Sequence, residues 1–255
     1  MKTISIINQK GGVGKTTTAQ ALAAGLTRKG LRVLSIDLDG QGNLTLLSGH
    51  DKATISAGTS DILKGKATTL DQLAIPTPQG DLIPATADLA AMERELANQH
   101  AADRTRKWIK ANGSGYDFIL IDTPPALGIL AINALVAADY VVIPTQADIF
   151  GLQGIGQLYQ TIETVRQAGQ PGLEIMGILA TRYNARTNLT KQITTMLEDT
   201  AAQIGTRVFE TKIRECTAIK EAQAVGENIF DYAPRSNGAM DYGQFTDEFL
   251  KEVKA

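Results

Sequence analysis

Short apolar runs and longer amphipathic stretches alternate along the chain. The mostly apolar runs lie at residues 4–7, 31–36, 82–85, 118–121, 139–145 and 172–181. Apolar residues at helical spacing predict helices at 19–29, 59–63, 88–96, 104–111, 128–138, 150–167, 189–203 and 238–254. Consecutive apolar positions are typical of strands that crossover helices bury on both faces. The pattern therefore predicts an α/β fold with a doubly wound, mostly parallel sheet and helices on both faces.

Length and composition limit what this fold can be. The chain has 255 residues, which suits one large α/β domain, so we expect a single domain over 1–255. No stretch is apolar for the ~18 residues that a membrane span needs, and no secretory segment precedes the first strand. We therefore expect a cytoplasmic protein. The formal net charge is −2, so any surface that binds nucleic acid must be local.

A glycine-rich turn between the first strand and the first helix carries the clearest chemical signal. Residues 8–17 read Asn-Gln-Lys-Gly-Gly-Val-Gly-Lys-Thr-Thr, in the strand–turn–helix context of a phosphate-binding loop. Glycines let successive backbone N–H groups converge on phosphate oxygens at the positive end of the helix. Lys15 is expected to reach the β- and γ-phosphates, and the Thr16 hydroxyl to hold Mg²⁺. The predicted nucleotide contacts here are Gly11, Gly12, Val13, Gly14, Lys15, Thr16 and Thr17.

Three aspartates stand where predicted strands end. Asp37 and Asp39 follow the second apolar run, and Asp122 follows the run at 118–121. Open α/β sheets bind ligands at the carboxyl ends of their strands. Behind a phosphate-binding loop, Asp122 is expected to hold the Mg²⁺ shell opposite Thr16, while Asp37 and Asp39 support the metal shell and orient a water. Without such a loop, the same acids would be read as helix caps or loop acids.

The loop departs from the general phosphate-loop pattern in two places. Gln9 stands where the pattern has a glycine, and a second lysine, Lys10, stands next to it. A lysine just ahead of Gly-Gly-x-Gly-Lys-Thr-Thr resembles the deviant Walker ATPases, the family of ParA, Soj and MinD. The resemblance gives Lys10 the role of reaching across a nucleotide-sandwich dimer to the partner's phosphates.

Residues 37–43 are similar to the family's second motif, Asp-x-Asp-Pro-Gln-Gly-Asn. Carried over, Asp39 positions the attacking water and Asp37 lies near the metal. Gly40 replaces the usual proline. We expect this exchange to loosen the loop without removing a chemical group.

The resemblance extends into the last third of the chain. Residues 181–189 resemble the Soj-like loop that forms part of the adenine pocket, which makes Asn184 a candidate adenine contact and Arg186 a candidate DNA contact. Residues 208–217 resemble the segment that ends the last major strand, without the proline-arginine pair of many relatives. The remaining candidates for a DNA-binding patch, which two subunits could form together, are Lys212, Arg214, Lys220 and Arg235.

Taken together, the likeness implies a ParA/Soj-type ATPase with ATP and Mg²⁺ as cofactors. In this mechanism ATP closes a homodimer, the dimer binds double-stranded DNA without sequence preference, and a ParB-like partner triggers hydrolysis and release. The protein would then be associated with the nucleoid. The catalytic residues that it implies are Lys10, Lys15 and Asp39.

Two other functions remain open. A MinD-like switch would bind a membrane through a basic amphipathic helix, but the terminal stretch 238–254 is rich in acids, so we expect it to pack onto the core and no membrane to be bound. A ligase or synthetase of related fold would use the loop to activate a small carboxylate. An iron–sulfur carrier is disfavoured, because Cys216 is the one cysteine in the sequence.

Overall fold

A computed structural model describes residues 1–96, 101–185 and 188–254. Its strands are β1 Lys2–Ile6, β2 Val33–Asp37, β3 Ile75–Thr77, β4 Gly80–Ile83, β5 Phe118–Asp122, β6 Tyr140–Gln146 and β7 Glu174–Thr181. Its α-helices are α1 Lys15–Arg28, α2 Asn43–Leu47, α3 Thr59–Leu63, α4 Leu70–Leu73, α5 Leu89–Leu96, α6 Arg104–Asn112, α7 Ile129–Ala137, α8 Ile149–Gln167, α9 Asn188–Gln203, α10 Thr217–Ala224, α11 Ile229–Tyr232 and α12 Asn237–Lys254.

Within these residues the strands form one seven-stranded sheet in the order β3-β4-β2-β5-β1-β6-β7. All neighbouring strands run parallel except β3, which pairs antiparallel with β4 at the edge. The doubly wound, mostly parallel sheet predicted from the apolar pattern is confirmed. In its centre, Asp122 at the end of β5 lies in register with Ile6 of β1 and with Asp37 of β2. The fold therefore delivers the phosphate-loop strand and both strand-end aspartates to one edge.

Helices cover both faces of the sheet because alternate strand residues point to opposite sides. Ile4 and Ile6 of β1 pack in the core under α1 and α12. Ile119 and Ile121 of β5 belong to the core on the other face, with α5, α6 and α7. A third cluster joins β6 and β7 to α7, α8 and α9. Each central strand is thus buried from two sides, as its mostly apolar run predicted.

The terminal helix α12 packs on the core, as expected. Tyr242, Phe245 and Phe249 are buried on one of its faces. Phe245 meets Phe209 edge-on at 5.0 Å between ring centroids, and Phe249 meets Phe118 edge-on at 5.6 Å. Across the stretches that the structure describes, we find no helix long and apolar enough to cross a membrane.

Two segments differ from the sequence prediction. Residues 208–217, expected to end a major strand, form only isolated bridges from Val208 to Ile178 and from Arg214 to Tyr183. Separate hydrogen bonds join the segment to Ile178 and Ala180 of β7 and to Tyr183 just beyond it, instead of a ladder along its length. Strand β3 has no counterpart among the apolar runs: it is a short edge strand that pairs with β4 across the turn at 78–79, and an edge strand tolerates Pro76.

Candidate nucleotide-binding site

The loop between β1 and α1 needs glycine for its backbone conformation. Gly12 and Gly14 have φ values of +75° and +89°, in the left-handed region, and Gly14 is the N-cap of α1. Added Cβ atoms at Gly11 and Gly12 would meet no atom within 4 Å, so open space lies before the loop. The first N–H groups of α1 have no acceptor inside the helix. Loop and helix start together can cradle an anion.

Two side chains from neighbouring strands fasten this loop. The Gln146 amide of β6 donates to the Gly12 carbonyl at 3.2 Å, and the Thr181 hydroxyl of β7 donates to the Val13 carbonyl at 2.8 Å. The phosphate-binding conformation is therefore held by the sheet edge as well as by the glycines.

Lys15 lies inside the site. Its residue is 7% exposed and its Nζ donates to the Lys10 carbonyl at 3.2 Å. Burial lowers the pKa of the Lys15 ammonium, and the charges of Asp122 and Asp39 counteract that shift. A phosphate group placed here would add a further negative charge that favours the ammonium form.

Asp37 and Asp122 form a buried acidic pair. The Thr45 backbone N–H and hydroxyl donate to Asp37 Oδ2 at 2.8 and 2.7 Å, and the Asp39 N–H donates to Asp37 Oδ1 at 3.1 Å. These hydrogen bonds lower the pKa of Asp37, but burial raises it by more, to about 6. Burial and the charge of Asp37 raise the pKa of Asp122 well above its usual range, and the nearby Thr16 hydroxyl moderates that rise.

This pair supplies the test of whether a cation fits. Both carboxylate oxygens of Asp122 are buried without a hydrogen bond of normal geometry among the described residues. A buried carboxylate without a partner is costly, and a divalent cation beside Thr16 would remove that cost. No group of three or more His, Cys, Asp or Glu side chains able to hold a metal occurs in the part of the chain described. Magnesium here would therefore take most of its ligands from phosphates and water, as it commonly does.

The loop after β2 is fixed by contacts that the sequence pattern did not indicate. Asp39 is 6% exposed, and its Oδ1 accepts the Gln41 N–H at 2.9 Å. Lys52 Nζ donates to the carbonyls of Gly40 and Gln41 at 2.7 and 2.8 Å. A Cβ on Gly40 would lie 2.9 Å from the Ala90 Cα of α5. The loosening expected at Gly40 stays a prediction: glycine there leaves room for helix α5, and Lys52 binds the loop carbonyls.

Lys10 points away from its own loop. Its Nζ contacts Asp148 Oδ2 at 2.5 Å, and Asp148 also accepts the Gly151 N–H as the N-cap of α8. The Lys10 side chain is 28% exposed, and it lines a shallow depression with Gln153 and Gln157 of α8. It therefore presents its charge outside the cavity that Lys15 occupies.

A cavity of about 440 Å³ lies at the loop and the first turn of α1. Asp39 lines its phosphate-loop end, and Thr181, Arg182 and Cys216 line the part beyond it. Asn184 is exposed, and the lining from that loop ends at Arg182. The predicted adenine contact of Asn184 stays a prediction.

The candidate DNA contacts are placed unequally. Arg214 is held by Asp241 through its guanidinium, with the shortest contact at 2.6 Å. Lys220 Nζ lies 3.6 Å from Glu215, and Lys212 Nζ donates to the Glu210 carbonyl at 3.2 Å. Arg235 is exposed between α11 and α12. Arg186 lies outside the described residues. The role of these residues in DNA binding stays a prediction.

Sequence reasoning missed the residues that support the site. Thr45 bonds Asp37, 8 positions away, and Lys52 bonds Gly40, 12 positions away. Asp148 bonds Lys10 over 138 positions, and Asp241 bonds Arg214 over 27. Only Thr45 had a local signal, because a short helix that starts after an Asp-x-Asp turn can turn its N–H groups toward the acid. The other three depend on contacts between elements.

The sheet order, the glycine loop on a helix N-terminus and the buried strand-end aspartates define a P-loop nucleoside triphosphatase. Comparison with known proteins narrows the class. A family model described as an AAA domain matches residues 1–175. The chromosome-partitioning ATPase Soj of Thermus thermophilus is 41% identical over 254 residues, covering 100% of this chain and 97% of the relative. The sporulation initiation inhibitor protein Soj of Bacillus subtilis is 42% identical over 256 residues, covering 100% and 98%. The chain belongs to the Soj/ParA family of P-loop ATPases.

A solved structure agrees with the site. Cobyrinic acid a,c-diamide synthase from Mycobacterium smegmatis, with bound ADP and magnesium, has a TM-score of 0.85 and 32% sequence identity. The match covers 100% of this chain and 96% of that chain. ADP and magnesium in a chain of this fold are the ligands for which the loop and Asp122 are suited.

Proposed function

We propose that this chain is a DNA-partition ATPase, working as one ATPase domain. Its ATP-bound homodimer holds double-stranded DNA without sequence preference, and a ParB-like partner stimulates hydrolysis and release. Cargo would be moved by repeated loading and stripping of the ATPase along the nucleoid. Its relatives from Thermus thermophilus and Bacillus subtilis, both named Soj, support the proposal along the full length of the chain.

The observation that carries the proposal is the position of Lys10. An ATPase acting alone needs a lysine inside its own site, and Lys15 fills that place. Lys10 belongs to the same loop, yet its ammonium lies outside the cavity against Asp148. A cation presented on the outer side of the loop suits a phosphate that arrives with a second copy of the chain. Self-association is therefore built into the proposed reaction.

The reaction is hydrolysis of the β–γ bond of ATP by water, giving ADP and phosphate. Charge on the transferring phosphoryl group would be met by Lys15 and by the backbone N–H groups of residues 11–16, fixed before the reaction starts. Asp39, which lines the cavity, would orient the water. Lys10 of the partner subunit would complete the charge compensation. Mg²⁺ near Thr16 and Asp122, when bound, neutralises part of the phosphate charge.

DNA binding would depend on local positive charge, since the whole chain carries a formal net charge of −2. Among the described residues, three candidates remain besides Arg214: Lys220 is exposed and pairs with Glu215, Lys212 is half-buried and bonds the Glu210 carbonyl, and Arg235 is exposed. Two subunits in an ATP-bound dimer would bring two such sets together. This arrangement would make DNA affinity follow the nucleotide state.

Two alternatives predict different partners. A membrane switch needs a free apolar helix face, whereas Tyr242, Phe245 and Phe249 of α12 are buried in the core. A ligase or synthetase reading is favoured by the likeness to the Mycobacterium smegmatis synthase. Turnover that requires a small carboxylate metabolite and ignores DNA would support this second candidate.

The deciding experiment measures binding of the purified chain to a long, arbitrary DNA duplex. Samples contain ATP, ADP or no nucleotide, over a salt series, because phosphate contacts weaken steeply with salt. We expect binding only with ATP and a strong salt dependence. Absence of binding in every nucleotide state would overturn the DNA-partition proposal, and liposomes and small carboxylates would be tested next.

Lys10→Ala tests the proposed role of Lys10. The variant should bind ATP like the wild type, because Lys10 does not line its own cavity. Partner-stimulated turnover should fall by at least about tenfold, the scale of one lost transition-state contact. Lys107→Ala is the matched control, since Lys107 also pairs with an aspartate, Asp103, at the start of a helix. Normal stimulated turnover in Lys10→Ala would remove Lys10 from the mechanism.

A further inference from the structure

A buried carboxylate on the terminal helix holds the chain at an unexpected place. Asp241 of α12 is 3% exposed. It accepts the backbone N–H of Arg214 at 2.9 Å, and the Nε and Nη2 of the same residue at 3.0 and 2.6 Å. Charge-assisted, forked contacts of this kind fix both distance and orientation. Asp241 therefore grips Arg214 by its main chain and its side chain together.

Arg214 belongs to a segment that forms neither a helix nor a strand. We call residues 213–216 the wall segment. Its other anchors lie at the end of β7 and just beyond it: the Ile213 N–H donates to the Ala180 carbonyl at 2.8 Å, and the Tyr183 N–H donates to the Ile213 carbonyl at 2.9 Å. The wall segment is thus stretched between the end of β7 and helix α12. Asp241 supplies the attachment on the α12 side.

The wall segment forms one side of the nucleotide cavity. All four of its residues line the cavity, and Ile219 and Gln223 of α10 continue the same side. The phosphates belong at the glycine loop and Lys15, and Gln223 Nε2 connects α10 to this loop by donating to the Thr17 hydroxyl at 2.7 Å. A nucleotide anchored there would extend its sugar and base toward the wall segment. The position of the wall segment therefore sets the width of the base end.

The residue after Asp241 reaches the other side of the cavity. Tyr242 lines the cavity, and its hydroxyl lies 3.2 Å from the Thr18 hydroxyl of α1. Consecutive residues of α12 thus contact the helix that follows the phosphate loop and the segment that faces the base. Helix α12 holds the two sides of the cavity at a set separation.

We propose that Asp241 is a positioning residue for the nucleotide base, acting through Arg214 and the wall segment. This inference rests on the proposed function only in taking a nucleoside triphosphate as the occupant of the cavity. Asp241 touches no nucleotide itself. Its loss should weaken contacts to the base and leave contacts to the phosphates intact. It also assigns the Arg214 guanidinium to the wall of the cavity and not to DNA.

The test compares the affinities of the full-length protein for ATP and CTP with Mg²⁺, for wild type and Asp241→Asn. The two nucleotides share their phosphates and differ in the base. We expect the Kd for ATP to rise about tenfold, the scale of a lost charged hydrogen-bond pair, and the Kd for CTP to rise less than about twofold. The ratio of the two affinities should therefore fall.

Glu248→Gln is the matched control. Glu248 lies on the same helix, and its carboxylate accepts the N–H groups of Glu210 and Thr211 at 2.7 and 2.9 Å, ahead of the wall segment and outside the cavity lining. The control should leave both affinities unchanged. Arg214→Lys serves if Asp241→Asn does not fold, because an ammonium keeps the charge pair but loses the fork. Arg214→Lys should also lower the preference for ATP over CTP, measured as the ratio of the two affinities.

Three results would overturn the inference while leaving the proposed function in place. These are unchanged ATP affinity in folded Asp241→Asn, equal losses for ATP and CTP, and a wild type that binds both nucleotides equally. If Asp241→Asn binds DNA more strongly and keeps its preference for ATP over CTP, Arg214 belongs to the DNA-binding surface of the protein, and the inference is likewise overturned. A wild type that binds neither nucleotide would overturn the proposed function as well.

Discussion

Gly40 stands where the similar motif has a proline, and its surroundings explain the exchange. A Cβ at this position would approach the Ala90 Cα to 2.9 Å, against the backbone of α5. A backbone atom cannot move aside as the tip of a flexible side chain can. The glycine is therefore required by the close approach of α5 to the loop that carries Asp39.

We expect Gly40→Ala to lower the free energy of unfolding by about 1–3 kcal/mol, the usual range for forced overpacking. Gly40→Pro should be at least as harmful, even though proline is the residue of the motif. Gly172→Ala is the control, because a Cβ there meets nothing within 4 Å. Urea unfolding of the three variants measures the effect. Wild-type stability in Gly40→Ala would mean that α5 moves aside at little cost.

The buried pair Asp37 and Asp122 makes the stability of the nucleotide-free protein depend on pH. Burial raises the pKa of Asp37 from 3.8 to about 6, and burial with the Asp37 charge raises the pKa of Asp122 well above its usual range. A carboxyl group whose pKa is higher in the folded state than in the unfolded state contributes its full stability at pH values below its unfolded-state pKa. This contribution is lost as the pH rises through its folded-state pKa. The loss attributable to Asp37 falls between about pH 4 and 6 and is of order 2–3 kcal/mol.

Asp122→Asn removes one buried charge from this pair. We expect the nucleotide-free variant to be about 1–3 kcal/mol more stable than wild type at pH 7.5, with the difference shrinking toward pH 5. Stabilisation by Mg²⁺ and ATP should be lost in the same variant. Urea unfolding at both pH values, with and without ligand, checks both statements. A gain that is equal at pH 5 and pH 7.5 would contradict the titration argument.

At the scale of elements, the start of α8 links a helix cap to the phosphate loop. Asp148 caps α8 through the Gly151 N–H at 2.8 Å and holds Lys10 at the same time. A lysine that is to reach a partner's phosphate must first leave this aspartate. The pair is partly exposed, and such pairs contribute about 0.2–1 kcal/mol. The hold on Lys10 is therefore weak enough for ATP-bound dimerisation to overcome.

Asp148→Asn should release Lys10 while keeping the cap, since asparagine caps helices as well as aspartate does. We expect the ATP-dependent dimer to form at about two- to fivefold lower protein concentration. Sedimentation with a non-hydrolysable ATP analogue measures this change. Asp103→Asn, at the start of α6 beside Lys107, is the control. A dimer as weak as wild type, or weaker, would show that Asp148 does not restrain Lys10.

At the scale of the whole molecule, hydrolysis and DNA release should be separable. Asp39 lines the cavity and its proposed task is to orient water, whereas ATP is held mainly by the phosphate loop. Asp39→Ala should therefore bind ATP, accumulate as a dimer and stay on DNA. Size-exclusion chromatography with light scattering, in excess ATP, measures the dimer. Monomeric Asp39→Ala under these conditions would count against the assigned role of Asp39.

Most of the framework could be predicted from local pattern. Buried parallel strands are mostly apolar, so β1, β5 and β6 were visible as runs, and Lys15, Thr16 and Asp122 follow from their place beside those runs. The segment at 208–217 could not be read in the same way. Its bridges, to Ile178 of β7 and to Tyr183 just beyond that strand, are made one residue at a time, which leaves no repeating pattern in the sequence.

The sequence by itself determined the sheet, the phosphate loop and the strand-end acids, because each is specified by neighbours along the chain. Only the tertiary structure decided that Lys10 rests on Asp148, that Lys52 ties down the loop at Gly40, and that Asp241 grips Arg214. Each of these contacts joins elements that are separate in the chain. Whether the groups in each contact meet depends on how separate segments pack in three dimensions, and composition and spacing do not encode that packing locally.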